Sequence, residues 1–541
     1  MVELSESNSV SRKLRWNSRC QSGAAEDRKK ADNIINKYKN QENIESAFSG
    51  VKSRWDNIFS KMIVETPDKA MDLMLNTWLK YQVISGRLWA RTAYYQMGGG
   101  VGFRDQLQDS LIFLPLDPEK TKEQILLHAR HQFKNGTVYH WWHPMTEVGL
   151  PTNMTDDLLW LPYLTNKYIE ETNDYGILDL KEAFIDESES ATLYDHCIRS
   201  IKMVLSRFSE RGLPLIGAGD WNDGLSAVGL KWKGESVWLG HFLYDILNDF
   251  IDITGYENDD LNKNEFIQRA EALKRAINEC AWDGEYFFYG TKDSGELFGS
   301  HTNKEGKIHL NAQTWAVISN DVDRERANKV MDAVEKHLEY KAGTLLLHPA
   351  YTVSDSKIGY LTRYGPGMRE NGGVYTHAAT WSVIAEAKLK RAESAYRMFS
   401  KINPVIRGKN PDEYVAEPYV TPGNIEGPES PFYGKGGWSW YSGSGSWLFR
   451  AGLNWILGVR AKRDFLIVDP CIPKEWKGYK VKRIFRGTEY RIEVKNTGKK
   501  SYGVTAVSVD GLEKNEFIEN GYAKLPLLDG SLPHNIIIVL G

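Results

Sequence analysis

A mainly α-helical chain that ends in a small β-domain is what this sequence predicts, and two observations predict it. Long segments with apolar residues at helical spacing recur through most of the 541 residues. After about Gly458 they give way to short alternating stretches rich in β-branched residues. A chain of this length accommodates a large domain and a smaller one.

Residues 1–65 form a polar lead-in, in which KKADNIINKYKNQENIESAF reads as one solvated helix with Ile34, Ile35 and Tyr38 as its apolar stripe. From Thr66 the texture changes. Pro67 and Asp68 open a helix that carries Met71, Met74, Leu75, Trp78 and Leu79 on one face. The pattern continues through TKEQILLHARHQF, TLYDHCIRSIKMVLSRF, ESVWLGHFLYDILNDFIDI, FIQRAEALKRAINECAW, RANKVMDAVEKHLEY, THAATWSVIAEAKLKRAESAYRMF and GSWLFRAGLNWILG. Irregular loops rich in Gly, Trp, Asp and His separate these helices. Residues 66–460 therefore read as a barrel of helix pairs with its chemistry at one mouth. Residues 461–541 contain FLIVDP, YKVKRIF, EYRIEVKN, GVTAVSVDG and NIIIVLG, with turn signals between them. They read as a small antiparallel β-sandwich.

Composition excludes several classes. A net charge of −3 gives no electrostatic reason to bind nucleic acid or an anionic membrane. No run of about 18 apolar residues exists to span a bilayer. The opening MVELSESNSVSRKLRW lacks the apolar core of a signal peptide, so the cytoplasm is the expected compartment. Cys20, Cys197, Cys280 and Cys471 stand far apart with no CxxC pair, which fits free thiols and argues against a zinc site. The 18 Trp and 27 Tyr either fill a large core or offer flat faces to sugar rings.

Five loop segments carry the chemistry. GLPLIGAGDWNDGLSAVG sets Asp220, Trp221, Asn222 and Asp223 between glycines just ahead of a helix. Its carboxyls either act on a bond beside the Trp221 face or cap a turn. GGGVGFRDQLQD brings Arg104 and Asp105 together, a pair that either forks onto sugar hydroxyls or closes on itself. Its glycines lack the Lys-Ser/Thr ending of a nucleotide loop. VYHWWHP holds His140 and His143, two histidines three apart that on a helix could ligate a metal, but without a well-placed third ligand a structural or sugar-contacting role is the expected one; TDDLLWLP adds Asp156 and Asp157. YGPGMRENGGVYTHAATW groups Arg369, Glu370 and His377 around a glycine pair. GKGGWSWYSGSGSW places Ser442 and Gly443 in a small donor-rich turn, which with His377 makes a candidate anion nest.

Taken together and in this order, the five segments resemble the inverting phosphorylases of glycoside hydrolase family 94. That family takes in cellobiose, cellobionic acid, chitobiose and β-1,2-oligoglucan phosphorylases and the phosphorylase-like domain of cyclic β-1,2-glucan synthases. The resemblance runs from about Thr66 to the C-terminus. It implies an (α/α)6 barrel with a jelly-roll-like C-terminal β-domain. The family's N-terminal β-sandwich, which helps to build its dimer and the acceptor side of its site, is not matched by the opening 60 or so residues. A homodimer is therefore left open by the resemblance.

The resemblance also implies roles. The second Asp of the family's DWND string is its general acid and falls on Asp223, and Trp221 would line the donor glucosyl subsite. Arg104 and Asp105 match the pair that binds donor-sugar hydroxyls. Arg369 stands where the family has a basic residue, with Glu370 beside it. The phosphate ligands fall on His377, on Ser442 and Gly443 (Thr-Gly in the family), and upstream on Arg91. The implied reaction is direct displacement of a β-glucoside by inorganic phosphate as co-substrate, without metal or organic cofactor. The products are α-D-glucose 1-phosphate and a shortened acceptor. Asp223 must then hold a proton near neutral pH, with help from burial or from a neighbouring negative charge such as the phosphate. GSHTNKEGKIHLNAQTWAVIS and TVYHWWHP look closest to the β-1,2-glucan and cellobionic-acid side of the family.

Two other functions remain. An inverting hydrolase on the same barrel needs a carboxylate base, for which Glu370 and Glu417 are the loop candidates. A non-catalytic sugar-binding protein, or one part of a split synthase, would need no protonatable Asp223.

Overall fold

The computed structural model describes residues 24–89, 99–530 and 532–541. Arg91 and Cys20, singled out above, lie outside the described residues. The chain divides into two compact units, Met1–Ser60 and Lys61–Gly541.

In the first unit the expected single helix is two. Helix α1 (Arg28–Tyr38) is capped by Asp27, whose Oδ1 accepts from the Lys30 amide at 2.8 Å, and α2 (Gln41–Ser60) follows after a break at Lys39 and Asn40. Asn40 starts a new cap by accepting from the Glu42 amide, and that local bond outcompetes a continuous helix. Neither helix has a fully buried residue, as the polar composition predicts.

The second unit is a helical domain followed by a β-domain. Asp68 caps α3 (Lys69–Leu73), as its sequence position predicts, by accepting from the Ala70 amide at 2.9 Å. The helical run then passes through a π-turn (Met74–Trp78), α4 (Leu79–Val83) and a second π-turn (Ile84–Leu88). Next come α5 (Phe103–Ser110), α6 (Pro118–Ala129), α7 (Trp160–Thr172), α8 (Leu193–Leu205), α9 (Val237–Tyr256) and α10 (Asp260–Cys280). They are followed by α11 (Leu310–Ser319), α12 (Arg324–His337), α13 (Thr376–Lys388), α14 (Ala392–Ile402) and α15 (Ser442–Arg450). THAATWSVIAEAKLKRAESAYRMF is thus two helices, because Lys390 takes a left-handed conformation (φ 63°) that ends α13. Helix α5 packs on α7, α7 on α9, α9 on α11, α11 on α13, α13 on α15, and α15 returns to α5. The other long helices pack on these from outside, α10 on α9, α12 on α11 and α14 on α13. The inner helices α11 and α13 are buried almost throughout, so their apolar residues show no stripe, whereas α12 and α14 are amphipathic.

Two sheets make the C-terminal domain. One orders β1 (Met62–Glu65), β4 (Gly478–Phe485), β5 (Thr488–Lys495), β8 (His534–Leu540), β6 (Val504–Val509) and the short strand Leu512–Glu513. The other orders β2 (Val459–Lys462), β3 (Phe465–Val468), β7 (Tyr522–Pro526) and the short strand Ile518–Glu519. Two expectations are corrected. Residues 62–65, assigned to the helical lead-in, are a strand that pairs antiparallel with β4, Met62 opposite Arg483. The sheet is not wholly antiparallel either, because β5 and β8 run parallel with Tyr490 opposite His534. Among the described residues no helix is long and apolar enough to cross a membrane.

Candidate active site

Site residues gather where the inner helices begin. Arg104 and Asp105 are in the first turn of α5, His377 is the second residue of α13, and Ser442 and Gly443 open α15. Asp156 and Asp157 lie in a 3-10 turn leading into α7, and Asp223 starts another turn, Asp223–Leu225, ahead of α9. Several helix N-termini facing one region give it a positive electrostatic bias before any side chain is counted.

The two carboxyls of DWND do different things. Asp220 is fully buried and tied into the fold: Ser236 Oγ donates to it at 2.7 Å, Tyr289 Oη at 2.9 Å and the Asn222 amide at 2.9 Å. Burial pushes its carboxyl up to about 6 against those donors. Asp223, by contrast, has 43% of its side chain exposed. Asn222 shapes its turn by accepting from the Gly224 amide at 3.0 Å. The turn is braced from behind, where the Tyr360 amide donates to Ser226 Oγ at 3.2 Å. Trp221 is buried, its ring edge-on to His377 at 4.9 Å and to Tyr375 at 5.4 Å.

Arg104 is not paired with Asp105. Its buried guanidinium spans a ring of carboxyls, with Nη1 3.1 and 3.2 Å from the two oxygens of Asp156 and 2.9 Å from the Asp220 carbonyl. Nη2 donates to Oδ1 of Asp223. Asp223 therefore has a cation, not an anion, as its nearest charged neighbour. Asp157 takes a second cation: His140 Nδ1 lies 2.8 Å from it, and Thr152 Oγ1 donates to it at 2.6 Å. Burial would lower the His140 imidazole, but Asp157 outweighs burial and lifts it to about 9. Asp105 opens toward the cleft beside Arg87 (3.7 Å). Burial would raise its carboxyl, yet Arg87 and Arg104 hold it below the usual range.

His140 and His143 do not come together. VYHWWHP is a strand, Tyr139–His143, not a helix, so residues three apart project to opposite faces. His140 goes to Asp157 while the His143 ring meets Trp141, centroids 5.2 Å apart. Among the described residues no group of three His, Cys, Asp or Glu could hold a metal ion.

His377 and Gly443 meet at the N-terminus of α15. His377 is buried, and neither ring nitrogen has a hydrogen-bond partner. Burial keeps its imidazole down at about 3, so the ring is neutral. Gly443 lies against it. Ser442 Oγ donates to Asp109 Oδ2 at 2.6 Å and accepts from Arg87 Nε at 3.2 Å. The hydroxyl thus brings a buried guanidinium to the mouth of α15. Sequence reasoning missed Arg87; its only signal there was a charge interrupting an apolar helical run. Arg369 sits at φ 50° and is sandwiched between Tyr364 and Trp438 at 4.5 and 4.4 Å. Its Nε is 3.3 Å from Glu370 Oε2, which commits that carboxyl to an ion pair. Glu417 is half-buried on a separate loop. A separate cleft of about 440 Å³ is lined by Lys292, Tyr351 and Lys357 among others, and none of the residues above lines it.

The chain is similar to several known proteins. It is 39% identical over 485 residues to the cyclic beta-(1,2)-glucan synthase NdvB of Rhizobium meliloti, across 86% of this chain and 17% of that protein. It is 32% identical over 492 residues to the solabiose phosphorylase of Paenibacillus borealis, across 91% of this chain and 63% of that protein. The chain thus spans less than two thirds of the length of either relative. A crystal structure of a GH78 family rhamnosidase of Bacillus sp. GL1 superposes with a TM-score of 0.55 at 11% identity, across 80% of this chain and 42% of that one, a likeness of fold alone. The family model for the Glycosyl hydrolase 94 superfamily, catalytic domain, matches residues 54–458, and the chain belongs to that family.

Proposed function

We propose that the chain is an inverting glycoside phosphorylase that converts a β-linked gluco-disaccharide or oligosaccharide and inorganic phosphate into α-D-glucose 1-phosphate and a shortened acceptor. The observation that carries this reading is the His377–Gly443 nest: a buried imidazole with two unpartnered nitrogens beside the N-terminus of α15, with Arg87 bound to Ser442. A site that activates water has no use for it, because water needs a base and not an anion cradle. Glu370, the base a hydrolase would recruit, is held by Arg369.

In this reading Asp223 gives its proton to the glycosidic oxygen as the bond to the anomeric carbon breaks. Phosphate, held by His377, the Ser442 and Gly443 amides and Arg87 or Arg91, forms the new C–O bond from the opposite face. Trp221, Arg104, Asp105, Arg369 and Glu370 shape the donor-sugar subsite. No metal or organic cofactor takes part. The ring of inner helices from α5 to α15 and the outer helices packed on it support an (α/α)6 barrel. The solabiose phosphorylase among its relatives supports phosphorolysis, and the cyclic beta-(1,2)-glucan synthase supports a β-linked glucan as substrate.

The test is release of α-D-glucose 1-phosphate from cellobiose, cellobionic acid, sophorose and chitobiose, with and without phosphate, beside Asp223→Asn. Phosphate-dependent release that the variant loses is expected and names the linkage. Free glucose formed equally well without phosphate would overturn the reading in favour of a hydrolase. Sugar binding without any turnover would point to a non-catalytic component.

A further inference from the structure

Arg104 is one cation shared by carboxyls with opposite requirements. An acid needs its proton, and a cation beside any carboxyl favours the ionised form. Asp156 faces the other side of the same guanidinium, both its oxygens on Nη1, and is fully buried. Trp160 Nε1 donates to its Oδ2 at 3.1 Å. The Asp220 carbonyl, three residues before Asp223, also accepts from Nη1 at 2.9 Å and helps to hold the guanidinium in place.

We propose that Asp156 is a positioning residue for the acid: by holding the Nη1 side of Arg104 it draws the guanidinium charge away from Asp223 and lets Asp223 carry its proton. The proposal rests on Asp223 being the acid. Asp156 is fully buried. It acts only through Arg104, aided by its own negative charge, which opposes ionisation of Asp223 in the same direction.

The charged and titratable groups around the pair are few. Arg104, Asp157 and Asp220 face Asp156, with Tyr289 beyond them. Arg104, His140, Tyr360, Glu370 and Tyr441 face Asp223. His140 is matched by Asp157 and Glu370 by Arg369, while Arg104 is shared chiefly by Asp156 and Asp223, with Asp157 3.8 Å from Nη1 and Asp105 more distant. Burial pushes the Asp156 carboxyl up against the pull of Arg104, so its charge depends on that contact.

The experiment measures the pH at which the Asp223 carboxyl ionises in the full chain, by infrared difference spectra against Asp223→Asn, alongside the pH profile of phosphorolysis. Asp156→Asn should move the ionisation and the alkaline limb of kcat/KM down together by about one pH unit, the size of one partly screened charge interaction. A merely structural Asp156 would lower stability or kcat and leave both midpoints in place, and that result in a folded variant overturns the proposal. If Asp156→Asn does not fold, Trp160→Phe removes the donor that favours the charged form of Asp156, so that Asp156 takes up a proton more readily and releases its hold on Arg104. A smaller downward shift is then expected, and none overturns the proposal. The infrared midpoint is read without turnover. A shift in it, in a chain that releases no glucose 1-phosphate, supports the coupling and refutes the phosphorylase reading.

Discussion

A β-carbon on Gly443 would stand 2.7 Å from Nδ1 of His377. The ring is pinned on its other side by Trp221 and Trp381, so it has little room to retreat. Glycine at the second position of α15 therefore serves the histidine. Its φ is not in the left-handed region, and backbone freedom is not the reason for it.

Gly443→Ala should displace His377 and raise the KM for phosphate about tenfold, roughly one hydrogen bond to a charged group. The KM for the sugar should stay within about twofold, since no sugar-subsite residue touches the new methyl group. Initial rates with phosphate and sugar varied independently check this. Equal changes in both constants would mean that the nest does not bind the anion.

The two aspartates of the DWND string should separate cleanly. Asp220→Ala strands Ser236, Tyr289 and the Asn222 amide, all buried, and should cost about 2–4 kcal/mol of stability. Asp223→Asn should lower phosphorolysis about 10²–10⁴-fold, the usual worth of a general acid, with the thermal midpoint nearly unchanged. Thermal melts beside rates decide it, and a reversed pattern would exchange their roles.

Acid should destabilise the fold through three buried histidines. His128, His309 and His377 are each held by burial at about 3, against an ordinary value of 6.5. The unfolded chain binds their protons first, so their stabilising effect is complete above pH 6.5 and is lost progressively as pH falls toward 3. At pH 5 each forfeits about 2 kcal/mol at most, from 1.5 pH units of linkage. His309 has no hydrogen-bond partner on either nitrogen, so His309→Phe removes its titration at little polar cost. The stability of the variant should fall less steeply between pH 7 and 5 than that of the parent, as measured by thermal midpoints across that range. Parallel curves would rule out a buried neutral His309.

The loops that the structure brings together were legible as compact strings of Gly, Trp, Asp and His ahead of helices, but each string alone also fits a cap or a structural turn, and the roles proposed for Asp223, His377 and Gly443 came from the resemblance of the five strings taken together. Asp68 and the alternation of β4 and β5 were legible for a similar reason: caps and pleats are read over a few residues. VYHWWHP was not legible as a strand, because histidines three apart share a face only on a helix, and only pairing with Val148–Pro151 made the segment extended.

What the sequence by itself determined, then, is local: a helical domain followed by a β-domain, the order of the chemical loops, and the family to which they belong. The tertiary structure decided the partners. Nothing near Met62 announces a strand that pairs with Arg483 in a sheet formed more than 400 residues later in the chain. Nothing near Arg104 says that its charge goes to Asp156 and Asp223 and not to adjacent Asp105. Nor does the run around Arg87 reveal that it will meet Ser442. Periodicity and capping act over a few residues, and those forces leave a pattern in the chain. Ion pairs and strand pairing depend on which distant segments the fold brings within about 3 Å of each other, a distance that no local pattern encodes.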